Sequence, residues 1–208
     1  MGIIVNKAPI AGQQALQMSS NTTSAQIFQL QANSAALNPA LACALYFPSG
    51  KKYDSAFTNT GAALSVRACG YVTTGATLNV TATLYGKQVI PAPGAAGSTA
   101  QITPANWTTL CASTARAVNS ASSPWMIEAV VQWDSVSGIM HGKFTAEINN
   151  LLDNWAALSS TLTGLTDTGN IGQSSQGEPL CWFAVGITMS VANAANIAQL
   201  GSFELLEA

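Results

Sequence analysis

Apolar and polar residues alternate with period two through much of this chain, most clearly in residues 124–149, PWMIEAVVQWDSVSGIMHGKFTAEIN. There Trp125, Ile127, Ala129, Val131 and Trp133 share one side, and Glu128, Gln132 and Asp134 share the other. Successive side chains of an extended chain point to opposite faces, so this pattern is a strand with one face on a core. Ser135-Val136-Ser137-Gly138 supplies a turn with glycine near its end, where a left-handed residue is commonly needed. The return strand sets Met140, Gly142, Phe144, Ala146 and Ile148 against His141, Lys143, Thr145, Glu147 and Asn149. The segment predicts a long β-hairpin.

The same alternation predicts strands over 25–31, 41–47, 64–71, 77–85, 107–118, 181–191 and 197–206. In 77–85, Leu78, Val80, Ala82 and Leu84 point inward and Asn79, Thr81 and Thr83 outward. In 181–191, Cys181, Phe183, Val185, Ile187, Met189 and Val191 form one face, while Ala184, Gly186, Thr188 and Ser190 keep the other small. Asn193-Ala194-Ala195-Asn196 is a turn into the last strand. Residues 151–163 are ambiguous: Leu151–Trp155 reads as a helical turn, whereas 157–163 reads as extended chain. The 91–104 and 164–179 stretches are loops rich in Pro, Gly and small polar residues, and 33–40 is a loop or a brief helical turn ended by Pro39. Residues 1–24 sustain no period. They read as an extended arm, with a short helix over 13–18 as the alternative. The gaps between strands are too short for βαβ crossovers. About nine or ten strands in one chain therefore predict an all-β, antiparallel two-sheet sandwich of jelly-roll type, residues 25–208, behind an N-terminal arm, residues 1–24.

Charged residues make up only 8% of the 208 residues, against 48% hydrophobic; about 25% charge is usual for a soluble domain. A surface largely covered by neighbours tolerates that deficit, which favours a subunit of a larger assembly over a polar, uncharged free surface. Net charge is −2 and the basic residues form no cluster beyond Lys51-Lys52, so nucleic acid is not an expected partner. The longest apolar run, 180–187, is too short to span a bilayer, and no membrane partner is expected. Cys43, Cys69, Cys111 and Cys181 are widely spaced without a C-x-x-C. No secretory signal is read at Ile3-Ile4-Val5. The cysteines are therefore expected as mostly buried free thiols, two disulfides being the alternative in an oxidising compartment.

Chemistry-bearing groups are sparse. His141 is the single histidine, inside a strand and without a G-x-S-x-G partner motif, so a sheet-face histidine is expected rather than a triad. Glu128 and Glu147 face the same side of the hairpin, as a glycosidase pair must, but two sheet-surface acids are the commoner arrangement. Asp167-Thr168-Gly169-Asn170 lacks the ligand count of a calcium site. No catalytic residue, metal or cofactor is expected. Of Trp107, Trp125, Trp133, Trp155 and Trp182, Trp125 and Trp133 belong to a core face. Trp182 points opposite to Phe183 and Val185, either as a contact surface for sugar or protein or packed beneath a loop.

The order WMIEAVVQWDS, turn, GIMHGKFTAEI, polar loop, LCWFAVGITMSVANAANIAQLGSFELLE over residues 124–207 resembles the closing strands of viral jelly-roll proteins. It is similar to structural proteins of tailed-phage virions that decorate or project from the capsid. The resemblance implies a non-enzymatic component located in the virion, often a trimer, seated by an arm or loops on the major capsid protein or other virion proteins. Expected contact residues are Ile3, Ile4, Val5 and Ile10 in the arm, Pro91 and Pro93 in the 91–104 loop, and Trp182. A carbohydrate-binding jelly roll for host-surface attachment is the alternative, and a hydrolase using Glu128 and Glu147 the third reading.

Overall fold

The computed structural model describes residues 4–7, 16–19, 23–28, 45–46, 63–87, 103–119, 122–134, 139–161 and 182–207. The described residues form fourteen strands in two antiparallel sheets. In chain order they are β1 (Ile4–Lys7), β2 (Leu16–Ser19), β3 (Gln26–Ile27), β4 (Leu45–Tyr46), β5 (Leu64–Thr73), β6 (Leu78–Lys87), β7 (Thr108–Ala112), β8 (Arg116–Val118), β9 (Ser123–Asp134), β10 (Ile139–Ile148), β11 (Leu151–Leu152), β12 (Ala156–Thr161), β13 (Trp182–Met189) and β14 (Ile197–Glu207). Sheet A holds β14, β5, β9 and β10 between outer strands β1, β2, β11 and β12; sheet B holds β13 and β6 between β3, β4, β7 and β8. The protein is an all-β sandwich of two antiparallel sheets, as the alternation predicts.

Each sheet edge is one line of strand broken in two. β1 and β2 run along the two halves of β14, and β11 and β12 do the same along β10. β3 and β4 follow β13, and β7 and β8 follow β6. Short interrupted edges offer little continuous template for an incoming strand. The leading segment, expected as an extended arm, is extended where it is described, and its pieces β1 and β2 are hydrogen-bonded to β14 of the same chain.

The breaks have local causes. At 113–115, Ser113 N–H donates to Ala82 O at 2.8 Å and Ser113 Oγ accepts from Ala82 N–H at 2.9 Å. The serine side chain thus completes the ladder while the strand bends, and the single strand expected over 107–118 becomes β7 and β8 after a 3-10 turn at Pro104–Asn106. At the far edge, Asn149 and Asn150 have φ of 54° and 62°. Two successive left-handed residues make the two-residue hairpin turn that Asn favours, so β11 and β12 return along β10 as strand. The helical alternative at Leu151–Trp155 is excluded.

The hairpin β9–β10 pairs as read, from Trp125↔Ile148 to Asp134↔Ile139. Trp125, Ile127, Ala129, Val131, Met140, Ala146 and Ile148 enter the core with Leu78, Val80, Ala82, Leu84, Phe183, Val185, Ile187 and Met189 from sheet B. In β14 a bulge between Leu200 and Ser202 shifts the alternation, so Ala198 and Leu200 and then Phe203 and Leu205 all point inward. Val191, expected on the inner face, is 43% exposed, because β13 ends at Met189 and the chain turns. The small side of β13 is buried too: Ala184 joins Ile27, Tyr85 and Trp107 in a second cluster on the outer face of sheet B.

Trp125 ties the layers together. Its indole crosses Gly70 on β5 and donates from Nε1 to Gln199 O on β14 at 3.2 Å. Phe28, beside β3, stacks on it with ring centroids 5.9 Å apart and planes 15° from parallel. A Cβ at residue 70 meets Gln199 O at 1.8 Å and the Trp125 ring at 3.0 Å.

Two polar clips hold the ends. Asn196, fully buried, donates from Nδ2 to Val191 O at 2.8 Å and accepts from Gly75 N–H at 3.2 Å through Oδ1. It joins the β5–β6 and β13–β14 connections. Asp153, in the break between β11 and β12, accepts from Thr114 N–H at 2.7 Å and from Arg116 Nη2 at 2.6 Å. Burial pushes the Asp153 carboxyl up, but the Thr114 and Arg116 hydrogen bonds and the Arg116 charge outweigh it and hold the group below the usual carboxylate range.

Two predictions follow from these contacts. Gly70→Ala is expected to destabilise by about 3 kcal/mol or more, the backbone clash exceeding the ~0.4–1 kcal/mol gained from a stiffer unfolded chain; urea unfolding reads it. Asp153→Asn is expected to cost about 1–3 kcal/mol at neutral pH, because it strands a half-buried guanidinium. A depressed folded-state pKa contributes stability above the unfolded value, about 3.9, that is lost as pH falls through the folded one. The difference between wild type and Asp153→Asn therefore shrinks below about pH 4, which denaturation at several pH values measures.

Candidate functional site

The outer face of sheet A is the broad open face among the described residues. β5 presents Arg67, Cys69 and Tyr71, β9 presents Met126, Glu128, Val130 and Gln132, and β10 presents His141, Lys143 and Glu147. Register sets Arg67 between Glu204 and Glu128 on the flanking strands. Ser65 Oγ donates to Glu128 Oε1 at 3.0 Å, and Arg67 Nη2 lies 3.4 Å from Met126 Sδ.

Two cavities lined by described residues open on this face. The larger, about 580 Å³, is lined by Ala63, Val130, Gln132, Lys143 and Trp155, with Val131 and Gly142 beneath. The smaller, about 220 Å³, is lined by Cys69, Tyr71, Met126, Glu147 and Gly201 over Trp125. They sit at opposite ends of the hairpin: Pro124 is level with Tyr71, and Val130 is level with Lys143. Six residues of strand separate the two levels, roughly 20 Å.

Trp182 is half-buried and packs against the cluster of Ile27, Tyr85, Trp107 and Ala184 on sheet B. Among the tryptophans whose side chains are described, the one held out to solvent is Trp155, 53% exposed. Its position follows from the 153–155 break, and the Asn149-Asn150 pair was the sequence signal for the hairpin that creates it. Ile4 and Val5 lie in β1, paired with β14. Ile3, Ile10, Pro91, Pro93 and Asp167 lie outside the described residues.

His141 is exposed on the sheet face, opposite Gln132 and Ser159. Glu128 and Glu147 share that face but not a rung: Glu128 pairs with Thr145 and Glu147 with Met126. Among the described residues no three His, Cys, Asp or Glu side chains gather as a metal site, and no helix is long and apolar enough to cross a membrane. Cys69 and Cys111 are free thiols; Cys43 and Cys181 fall outside the described residues. Burial pushes the Cys111 thiol up to about 12, a hydrogen bond with the Leu84 backbone offsetting little of it. A thiol held protonated in this way is an inert core residue.

No family model matches the chain, and no curated protein matches it. Among solved structures it is similar to the metal-free form of lectin I-B4 from Griffonia simplicifolia, at 10% identity and a TM-score of 0.32, over 91% of this chain and 92% of that one. A likeness of that size carries no conclusion about what this chain binds.

Proposed function

We propose that the protein is a non-enzymatic structural component of a phage virion that decorates or cements the capsid through protein–protein contacts. The observation that carries the contact role is the asymmetry of the sandwich. Sheet B has a second apolar cluster on its outer face, whereas sheet A leaves Tyr71 52% exposed next to half-exposed Cys69 and Met126. An aromatic and a methionine beside a shallow cavity form an adaptable contact surface. The low charge of the chain supports a surface that is covered in use, and the pattern of residues 124–207 supports the virion setting. The partners are other copies of the chain, as a trimer, and the major capsid protein or another virion protein; a specific contact buries about 1,600 Å².

A second reading, a carbohydrate-binding module for host-surface attachment, is favoured by exposed Trp155 at the rim of the larger cavity. Retention on a glycan array tests it.

The contact reading is tested by light scattering on the purified chain and on Tyr71→Glu and Met126→Lys. The expected result is a closed oligomer, a trimer, that both substitutions dissociate without loss of fold. A monomer at every concentration, or an oligomer indifferent to both substitutions, contradicts this use of the face.

A further inference from the structure

We infer that the cavity bounded by Trp155, Lys143, Gln132 and Val130 is a saccharide subsite that takes one pyranose ring; this rests on the second reading above and assigns its residues. The backbone that carries Trp155 is held on both sides. The ladder pairs Glu147↔Leu152 and Phe144↔Ala156 flank it. Within the break, Asp153 N–H donates to Ala146 O at 2.7 Å, Asp153 O accepts from Thr145 Oγ1 at 2.7 Å, and the carboxylate is held by Thr114 and Arg116. The chain thus keeps a large indole surface in water although burying it would be favourable. An aromatic on an anchored backbone, with only two side-chain torsions to order, suits stacking on a sugar.

The rest of the cavity has complementary chemistry. Ala63 and Val130 give an apolar wall, and Gln132 and Lys143 give an amide and an ammonium. A pyranose has an apolar C–H face and a rim of hydroxyls, matching one ring and two polar heads. The volume lies within the ~300–1,000 Å³ of small-molecule sites. Lys143 is level with uncharged Val130 and Ala157, and its ammonium is a donor for a ring hydroxyl.

The test uses the full chain with 15N-labelled tryptophan, titrated with maltotriose, cellotriose and chitotriose. At least one is expected to bind and to shift the Trp155 indole N–H peak. Trp155→Ala is expected to lower affinity about tenfold, the scale of one lost stacking contact, with Tm unchanged because the ring is exposed. Gln132→Ala and Lys143→Ala weaken binding less, and Trp182→Ala leaves it intact. Binding that is unchanged in Trp155→Ala overturns the subsite while the carbohydrate reading stands. No binding of any of the three at millimolar concentration, together with an empty glycan array, overturns both.

Discussion

The indole of Trp125 lies across Gly70 and reaches Gln199 O on the strand beyond it, and the rest of the sandwich depends on that contact. It joins three strands of sheet A by one side chain. Through its stack on Phe28 it also touches the edge of sheet B, where Phe28 N–H donates to Val185 O at 3.1 Å. The hydrogen bond alone contributes about 1 kcal/mol; the larger effect is geometric. The ring needs the missing Cβ of Gly70, and Gln199 is two residues before the glycine at the β14 bulge. That bulge turns Phe203 and Leu205 inward after Leu200, so the last strand faces the core at both ends.

Around this centre the edges are managed by interruption. All four described edge lines are split, and two of the breaks are built from side-chain hydrogen bonds, at Ser113 and at Asp153. A chain with so few charges has little Lys or Glu with which to guard its edges, and broken strands do that work instead. The Asp153 break has a second effect, since it sets the position of Trp155 on the open face.

The central strands were readable from the sequence because period-two alternation reports a face-to-core geometry directly. It is clearest in Trp125 to Val131 and in Leu78 to Leu84. The strands that sequence reading blurred are those where alternation is overridden. β13 is buried on both sides, so the small residues Ala184 and Gly186 looked like an outer face when they were the floor of a second cluster. β11 and β12 follow a turn whose signal was conformational, two left-handed asparagines, and not hydrophobic. The site was hidden for the same reason. Trp182 has the parity of an outward residue, but parity does not tell whether the outer face is covered. Trp155 lies in a break, where parity has no meaning.

The most direct test of this account is hydrogen exchange at the five tryptophan indoles, each with its own NMR signal. The account predicts that the Trp125 indole N–H exchanges only through global unfolding, at the stability measured by denaturant, while that of Trp155 exchanges freely. A Trp125 indole that exchanges as fast as Trp155 would contradict the claim that its bond to Gln199 O locks the sandwich.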